Sequence, residues 1–474
     1  MTSPQQRAAQ LRRALCLITA GLLVLSLTPG VAAHPEGSDS GKDATLIDPD
    51  AKSGGGPASG QSEQRGNRPL SHEPCVRGFA GEFPCDNVDL MSYLPIDEVG
   101  GGPGSIFGGA GNDLWGWTDP ETRQEWALMG RTSGTGFVDV TDAKRPQFVA
   151  DLPTQTVNSL WRDIKTYEDH AFVVSEAGGH GMQVFDLTRL RDLVDGETPV
   201  EVEPDAHYDG FGNAHNVAIN EDSGYAYAVG TGTCAGGLHM IDISDPQAPQ
   251  FAGCYADEGY THDVQCVNYH GPDERYAGQE ICFASNPSTA EGNVVSVIDV
   301  TDKDDPELLS RGTYSPTGYS HQGWLTDDHR YYLHNDEFNE LITGSGSLTH
   351  IFDMTDLTAP DFLGNYESTE PAITHNLYNR GRYSYQSNYL AGLRILDIAG
   401  IADGELEEVG YFDVYPDGTS AAFGGTWSNY PFFESGNVLV GGFDGLWVVR
   451  PRVGVDAPFP PPGRDHRPAN EARP

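Results

Sequence analysis

The chain has 474 residues, of which 38% are hydrophobic and 20% charged, and its formal net charge is −41. Phosphate-bearing partners, nucleic acid and anionic membrane alike, are disfavoured, because that surplus of acid repels them. Solubility, cation binding or a salty medium remain compatible with it, and a solvated acidic surface accounts for most of the charge.

Residues 1–33 read as an export signal. Arg7, Arg12 and Arg13 form a basic start, Leu15 to Leu27 an apolar run, and Val31-Ala32-Ala33 a small-x-small cleavage pattern. The run is too short for a permanent membrane span. Cys16 opens the run rather than following it, which argues against lipid attachment. Arg12-Arg13 leaves the export route open between the general and twin-arginine pathways. Residues 34–72, rich in Gly, Ser, Asp and Pro, predict a disordered linker, and the Pro-rich residues 452–474 a disordered tail. The body is therefore residues 73–451 of a secreted, extracellular or surface-associated monomer with no transmembrane segment.

Apart from Cys16, six cysteines remain, an even number suited to an oxidising compartment. Proximity along the chain predicts Cys75–Cys85, Cys234–Cys254 and Cys266–Cys282. The last two pairs are expected on neighbouring strands.

Almost nothing in the body has helical periodicity. Short alternating apolar runs separated by Gly, Asp, Asn and Pro give an all-β protein. One strand motif recurs: Gly136 to Asp142, Gly181 to Thr188, Gly237 to Asp245, Val295 to Asp302, Thr349 to Asp356, Gly392 to Ile398, and a truncated Gly445 to Arg450. The aligned positions 139, 186, 242, 299, 353, 397 and 450 are 44 to 57 residues apart. Each interval accommodates four short strands, one blade of a propeller. The expectation is a seven-bladed β-propeller of four-stranded blades. The third unit is the plainest, with strands at 215–219, 225–229, 238–243 and 251–255. Asp-Pro turns such as Ser244-Asp245-Pro246 should cap themselves rather than hold calcium. The seventh unit ends without a fourth strand, and Asn87 to Leu94 lacks partners of its own. That N-terminal strand is therefore expected to close the last blade and remove an exposed edge.

Gly237 to Pro246 and Gly392 to Ile398 resemble the LVIVD repeat. Further segments resemble the bacterial choice-of-anchor B family: Cys75 to Cys85, Ser159 to Lys165, Glu176 to Asp186, Tyr319 to Leu325 and Trp427 to Pro431. The resemblance spans about residues 72–451 and implies an exported β-propeller whose relatives end in differing surface anchors. It implies a location and a fold, not an activity.

Four consecutive units begin their first strand with histidine: His215-Asn216, His262-Asp263, His321-Gln322 and His375-Asn376. Unit two has Arg162-Asp163 there. If first strands are innermost, these residues ring the channel mouth. The connections between second and third strands share that face and add Glu176, His180, Asp336, Glu337 and Asn388. Imidazoles among carboxylates and amides suit a divalent cation, a small ligand or an acid–base centre. For the cation, His215, His262, His321 and His375 are the expected ligands. The competing view makes each histidine an architectural peg that bonds to the backbone of the next blade. His239 and His350 read as structural, and His334 fits either role. No complete catalytic motif occurs in a fitting context. The leading expectation is a binding module for a small ligand, a cation or an extracellular protein. The alternative is a metal-dependent hydrolase or lyase using the His/Asp/Glu ring, and a third reading is a purely structural surface protein.

Overall fold

The computed structural model describes residues 68–102 and 109–453. The signal segment 1–33, the linker up to residue 67 and the tail from residue 454 lie outside the described residues.

Seven antiparallel sheets follow one another along the chain, each with four meandering strands, here lettered A to D. Blade one runs A Gly111–Thr118, B Glu125–Arg131, C Gly134–Asp139, D Gln147–Pro153. Blade three runs Asn216–Asn220, Tyr225–Val229, Leu238–Asp242 and Gln250–Tyr255, within one residue of the sequence reading. Contacts between consecutive A strands, from Gly111–Thr118 through to Thr426–Tyr430 and back, form a closed cycle around a central channel. This is a seven-bladed β-propeller.

The ring closes as the missing fourth strand required. Val88–Pro95 is strand D of blade seven, antiparallel to strand C at Gly445–Pro451, with Tyr93 opposite Trp447. Bonding extends one layer further out. Leu70 and Tyr93 exchange backbone hydrogen bonds, as do Glu73 and Leu90, so pairing already begins inside the stretch expected to be linker. At the other end Arg452 donates its backbone N–H to Asn87 O and its guanidinium to Cys75 O.

Two sheets have more strands than the repeat predicts. The hairpin Phe79–Ala80 and Phe83–Asp86 adds to blade six, with Cys85 opposite Phe412. Val200–Glu201 pairs parallel to strand D of blade one. The only α-helix among the described residues, Asn339–Thr343, is a single turn between strands B and C of blade five. No helix among the described residues is long and apolar enough to cross a membrane.

The repeated aspartate now has a cause. Asp139, Asp186, Asp242, Asp299, Asp353 and Asp397 each accept a hydrogen bond from the backbone N–H two residues on. Each ends strand C and starts the turn to strand D. In blade seven, whose strand D comes from the N-terminal side of the propeller, Arg450 donates to Asn437 instead.

All three disulfides form as paired in the sequence reading. Cys266 and Cys282 are directly opposed on strands A and B of blade four. Cys234 departs from expectation: it sits in a short 3-10 turn before strand C, bridging to Cys254 on strand D.

Candidate functional site

The four histidines converge on one channel mouth. Each backbone N–H of His215, His262 and His375 donates to its own strand B, at Val229, Ser285 and Ser387. His321 is placed differently. The register of strands A and B in blade five slips between Ser320 and Gln322, so His321 is the bulged residue, and a bulge re-aims a side chain. Ring centroids are 4.3 Å apart for His215–His262, 4.1 Å for His262–His321 and 4.3 Å for His321–His375. The four imidazoles form a continuous arc.

Their Nδ1 atoms all face oxygen acceptors. His215 Nδ1 donates to Glu176 Oε1 at 2.7 Å, His262 Nδ1 to His321 O at 2.9 Å, and His375 Nδ1 to Trp427 O at 2.5 Å. His321 Nδ1 donates to Asn335 Oδ1 at 3.2 Å. The backbone N–H of Gln322 donates to that same atom, which fixes it as the amide oxygen. With protons assigned to Nδ1, the Nε2 atoms of the neutral rings carry lone pairs. Nε2 of His215 and of His262 face each other at 2.8 Å. Nε2 of His321 and His375 lie 4.0 and 3.8 Å from Glu337 Oε1. His321 Nε2 is buried without a hydrogen-bond partner among the described residues. Burial, then the neighbouring histidines, push its pKa well below the usual histidine range, so it stays neutral. Tyr389 donates its hydroxyl to Glu337 Oε1 at 2.7 Å.

The pegging bonds of these rings run through one ring nitrogen only. His262 and His375 do bond to the backbone of the next blade, but through Nδ1, which leaves Nε2 on the mouth side. Most blade-to-blade pegging falls to the residues that follow. Asp163 accepts from Val217 N–H, Asn216 donates to His262 O, Gln322 exchanges bonds with Leu377, and Asn376 donates to Ser428.

Residues predicted for the site thus separate into two groups. His215, His262, His321, His375, Glu176 and Glu337 come together. Asp336 points away, because adjacent residues at a strand end face opposite sides; its carboxylate accepts from Tyr314 and from the N–H groups of Gly318, Tyr319 and Phe338. His180 is buried and accepts from Arg162 at 3.0 Å; burial first, then that guanidinium, hold its pKa down to about 3. Arg162 also donates to Arg131 O and to Thr154. Asn388 is buried in the B–C turn of blade six. His239 bonds Tyr208 and Thr233, and His350 bonds Asn339 and Asn365, both structural. His334 is also fully buried, against Ser320.

A polar layer lies one residue further along the A strands. Asp163 and Asp263 meet Asp113 of blade one and Lys165 there. Lys165 bonds Asp163 at 2.5 Å, and Asn376 reaches Asp113 at 3.2 Å. Burial, then the charge of Asp163, raises the pKa of both Asp113 and Asp263 to about 7. Neither Asp113 nor Lys165 stands beside a histidine in the sequence, and only the ring closure brings blade one to them.

The cavity at the mouth is lined by the four histidines together with Trp161, Arg162, Asn216, Asn376 and Trp427. Its volume is about 10 Å³, well below the roughly 300–1,000 Å³ of a typical organic-ligand pocket. A larger groove of about 510 Å³ lies between blades three and four at the far ends of the strands, around Asp242, Phe251 and Lys303, and holds none of the predicted residues.

The fold is a seven-bladed β-propeller with a histidine-lined mouth, and one of its blades matches a known repeat. The family described as "LVIVD repeat" matches residues 211–257, which is blade three and the approach to it. No curated protein matches the chain. Among solved structures, a periplasmic gluconolactonase of Pseudomonas aeruginosa, PpgL, aligns at 11% identity and TM-score 0.45, over 65% of this chain and 86% of that one. The structure of U3-55K aligns at 8% identity and TM-score 0.45, over 72% and 95% respectively. Likeness this distant carries nothing about activity.

Proposed function

We propose that this chain is an exported binding propeller whose mouth holds a divalent transition-metal ion, with His321, Glu337 and His375 as ligands. One observation carries the reading: all four histidines commit Nδ1 to oxygen acceptors and turn Nε2 towards one another and towards Glu337. A metal-ligating histidine typically has its other nitrogen fixed in this way. Nitrogen donors with one carboxylate suit zinc and its neighbours rather than calcium or magnesium. The ligand atoms of these three residues lie within 4.8 Å of one another. The size of the cavity supports an ion over the small organic ligand.

Export and an oxidising destination are supported by the three disulfides and the N-terminal signal pattern. The motifs quoted above favour a place among the bacterial choice-of-anchor B proteins. Sequencing the N-terminus of protein recovered from the culture medium tests this: it should begin at His34.

The test of the site is metal analysis after loading with Zn2+ and gel filtration. Stoichiometric zinc is expected, lost in His321→Ala and in His375→Ala while circular dichroism stays propeller-like. A wild-type chain without bound zinc would overturn the reading.

A second reading, a metal-dependent hydrolase or lyase, is favoured by the count of ligands. Three protein ligands leave a coordination position open, as catalytic zinc sites do. It requires turnover that disappears with the metal and returns on reloading.

A further inference from the structure

We infer that Cys234–Cys254 is a reducible latch: an external dithiol opens it by thiol–disulfide exchange and so frees the turn that buttresses His215 and His262. The latch does not depend on the mouth holding an ion.

The three bridges differ in their surroundings. Cys75, Cys85, Cys266 and Cys282 are buried, between 0% and 8% exposed. Cys254 stands exposed on strand D of blade three, and Cys234 is half-buried. Exchange requires a thiolate to reach a sulfur, so access selects this bridge over the other two. The backbone favours the same one. Cys234 and Ala235 are consecutive non-glycine residues in the left-handed region, at φ 49° and 54°. A side chain with a Cβ disfavours that conformation, which persists only where its surroundings hold it. One such hold is the cross-link itself, which runs from the 3-10 turn Cys234–Gly236 past strand C to strand D.

The exchange has a direction. Cys254 is directly opposite His239 in the strand pairing, and Cys234 Sγ lies 4.0 Å from His239 Nδ1. A thiolate of the dithiol attacks the exposed Cys254 Sγ, the S–S bond breaks, and Cys234 leaves as a thiolate beside the imidazole. The second thiol of the reductant then attacks its own mixed-disulfide sulfur and releases Cys254. Two electrons pass from the dithiol to the bridge, its two protons end on Cys234 and Cys254, and it departs as a disulfide.

The turn is tied to the mouth on two sides. Gly236 O accepts from the backbone N–H of Gly230 and from that of Thr261, which precedes His262. Gly230 abuts His215 so closely that a Cβ there would meet His215 Cβ at 2.5 Å. Once the bridge opens, the turn relaxes out of the left-handed region and both contacts loosen.

The test treats the full mature chain, folded and without denaturant, with dithiothreitol. Thiols are trapped with iodoacetamide over a time course and mapped by mass. The first two labels are expected on Cys234 and Cys254, with the circular dichroism of the propeller retained. No label, labels on another pair first, or loss of the propeller spectrum would overturn the latch. Hydrogen exchange then reads the coupling. Amides in the peptide spanning Thr261 and His262 should exchange about tenfold faster in the reduced chain, since local opening sets that rate. The double variant Cys234→Ser/Cys254→Ser should show the same fast exchange with no reductant present. Exchange as slow as in the oxidised chain, in either case, would overturn the link to the mouth.

Discussion

Tyr93 stacks on Trp447 across the seam of the ring, with centroids 4.7 Å apart and planes inclined by 19°. One ring comes from the first blade strand and the other from the last, so this pair joins the two ends of the propeller. Trp447 is also edge-on to Phe83 of the added hairpin, and both belong to the cluster that includes Val88, Leu90, Val438 and Val449. The seam is a core, not a surface contact.

Trp447→Ala should therefore cost about 3–5 kcal/mol, the range for losing a buried large aromatic. Urea denaturation followed by circular dichroism measures it. A loss below about 1 kcal/mol would mean that the seam does not limit the stability of the ring.

The hairpin staple makes a smaller, separable contribution. Cys75 and Cys85 are 10 residues apart in sequence, and closing a loop of that length restricts the unfolded chain by about 2–3 kcal/mol. The double variant Cys75→Ala/Cys85→Ala should lower the denaturation midpoint accordingly but keep the seven-bladed spectrum. Thiol titration of the wild-type chain under denaturing, non-reducing conditions should find no free thiol in the mature protein. Detection of two free thiols per chain would refute the pairing.

The fold was largely legible because a repeat repeats its causes. The aspartate ending strand C recurs in six blades since the same turn to strand D needs the same side-chain acceptor, and Arg450 breaks the pattern where strand D is supplied by Val88–Pro95 instead. The added hairpin at Phe79–Asp86 and the parallel Val200–Glu201 occur once each, so no periodicity announces them. At the site, His215, His262, His321 and His375 were legible from their common place at the start of strand A. The division between Asp336 and Glu337 was not, since it depends on which side of a strand end each faces. Tyr389 was missed because its hydroxyl meets Glu337 only once blades five and six are docked. Its place directly after Asn388, in a turn already assigned to the mouth, was the one available signal.

The channel acids and the buried histidines should pull pH stability in opposite directions. Asp113 and Asp263 have folded pKa values raised to about 7, by burial and then by Asp163, above the usual carboxyl value of 3.8. The folded chain binds protons there that the unfolded chain has released, so stability is present at low pH and is lost as pH rises through 7. His239 and His350, lowered by burial to about 4, act with the reverse sign, and their contribution is lost as pH falls from 6.5 towards 4. Between pH 4 and 7 these two sets therefore oppose each other. Asp263→Asn removes one side of the balance. Its stability relative to wild type should improve by on the order of 2–4 kcal/mol between pH 4.5 and 7.5. Parallel urea titrations at the two pH values measure it, and a difference independent of pH would contradict the burial of that carboxyl.

The hydroxyl of Tyr389 offers the most selective probe of the proposed ion. It donates to Glu337 Oε1 at 2.7 Å while its ring packs on His375, centroids 4.7 Å apart. Tyr389→Phe keeps that packing and deletes only the hydrogen bond that orients the carboxylate. Removing such an outer partner costs about 10–100-fold in metal affinity, whereas one buried hydrogen bond contributes only about 1 kcal/mol to stability. Zn2+ affinity, measured by competition with a chromophoric chelator at pH 7.5, should fall at least tenfold with a shift in melting temperature of only a few degrees. If affinity is unchanged and stability falls instead, Tyr389 is a packing residue and Glu337 does not ligate the ion.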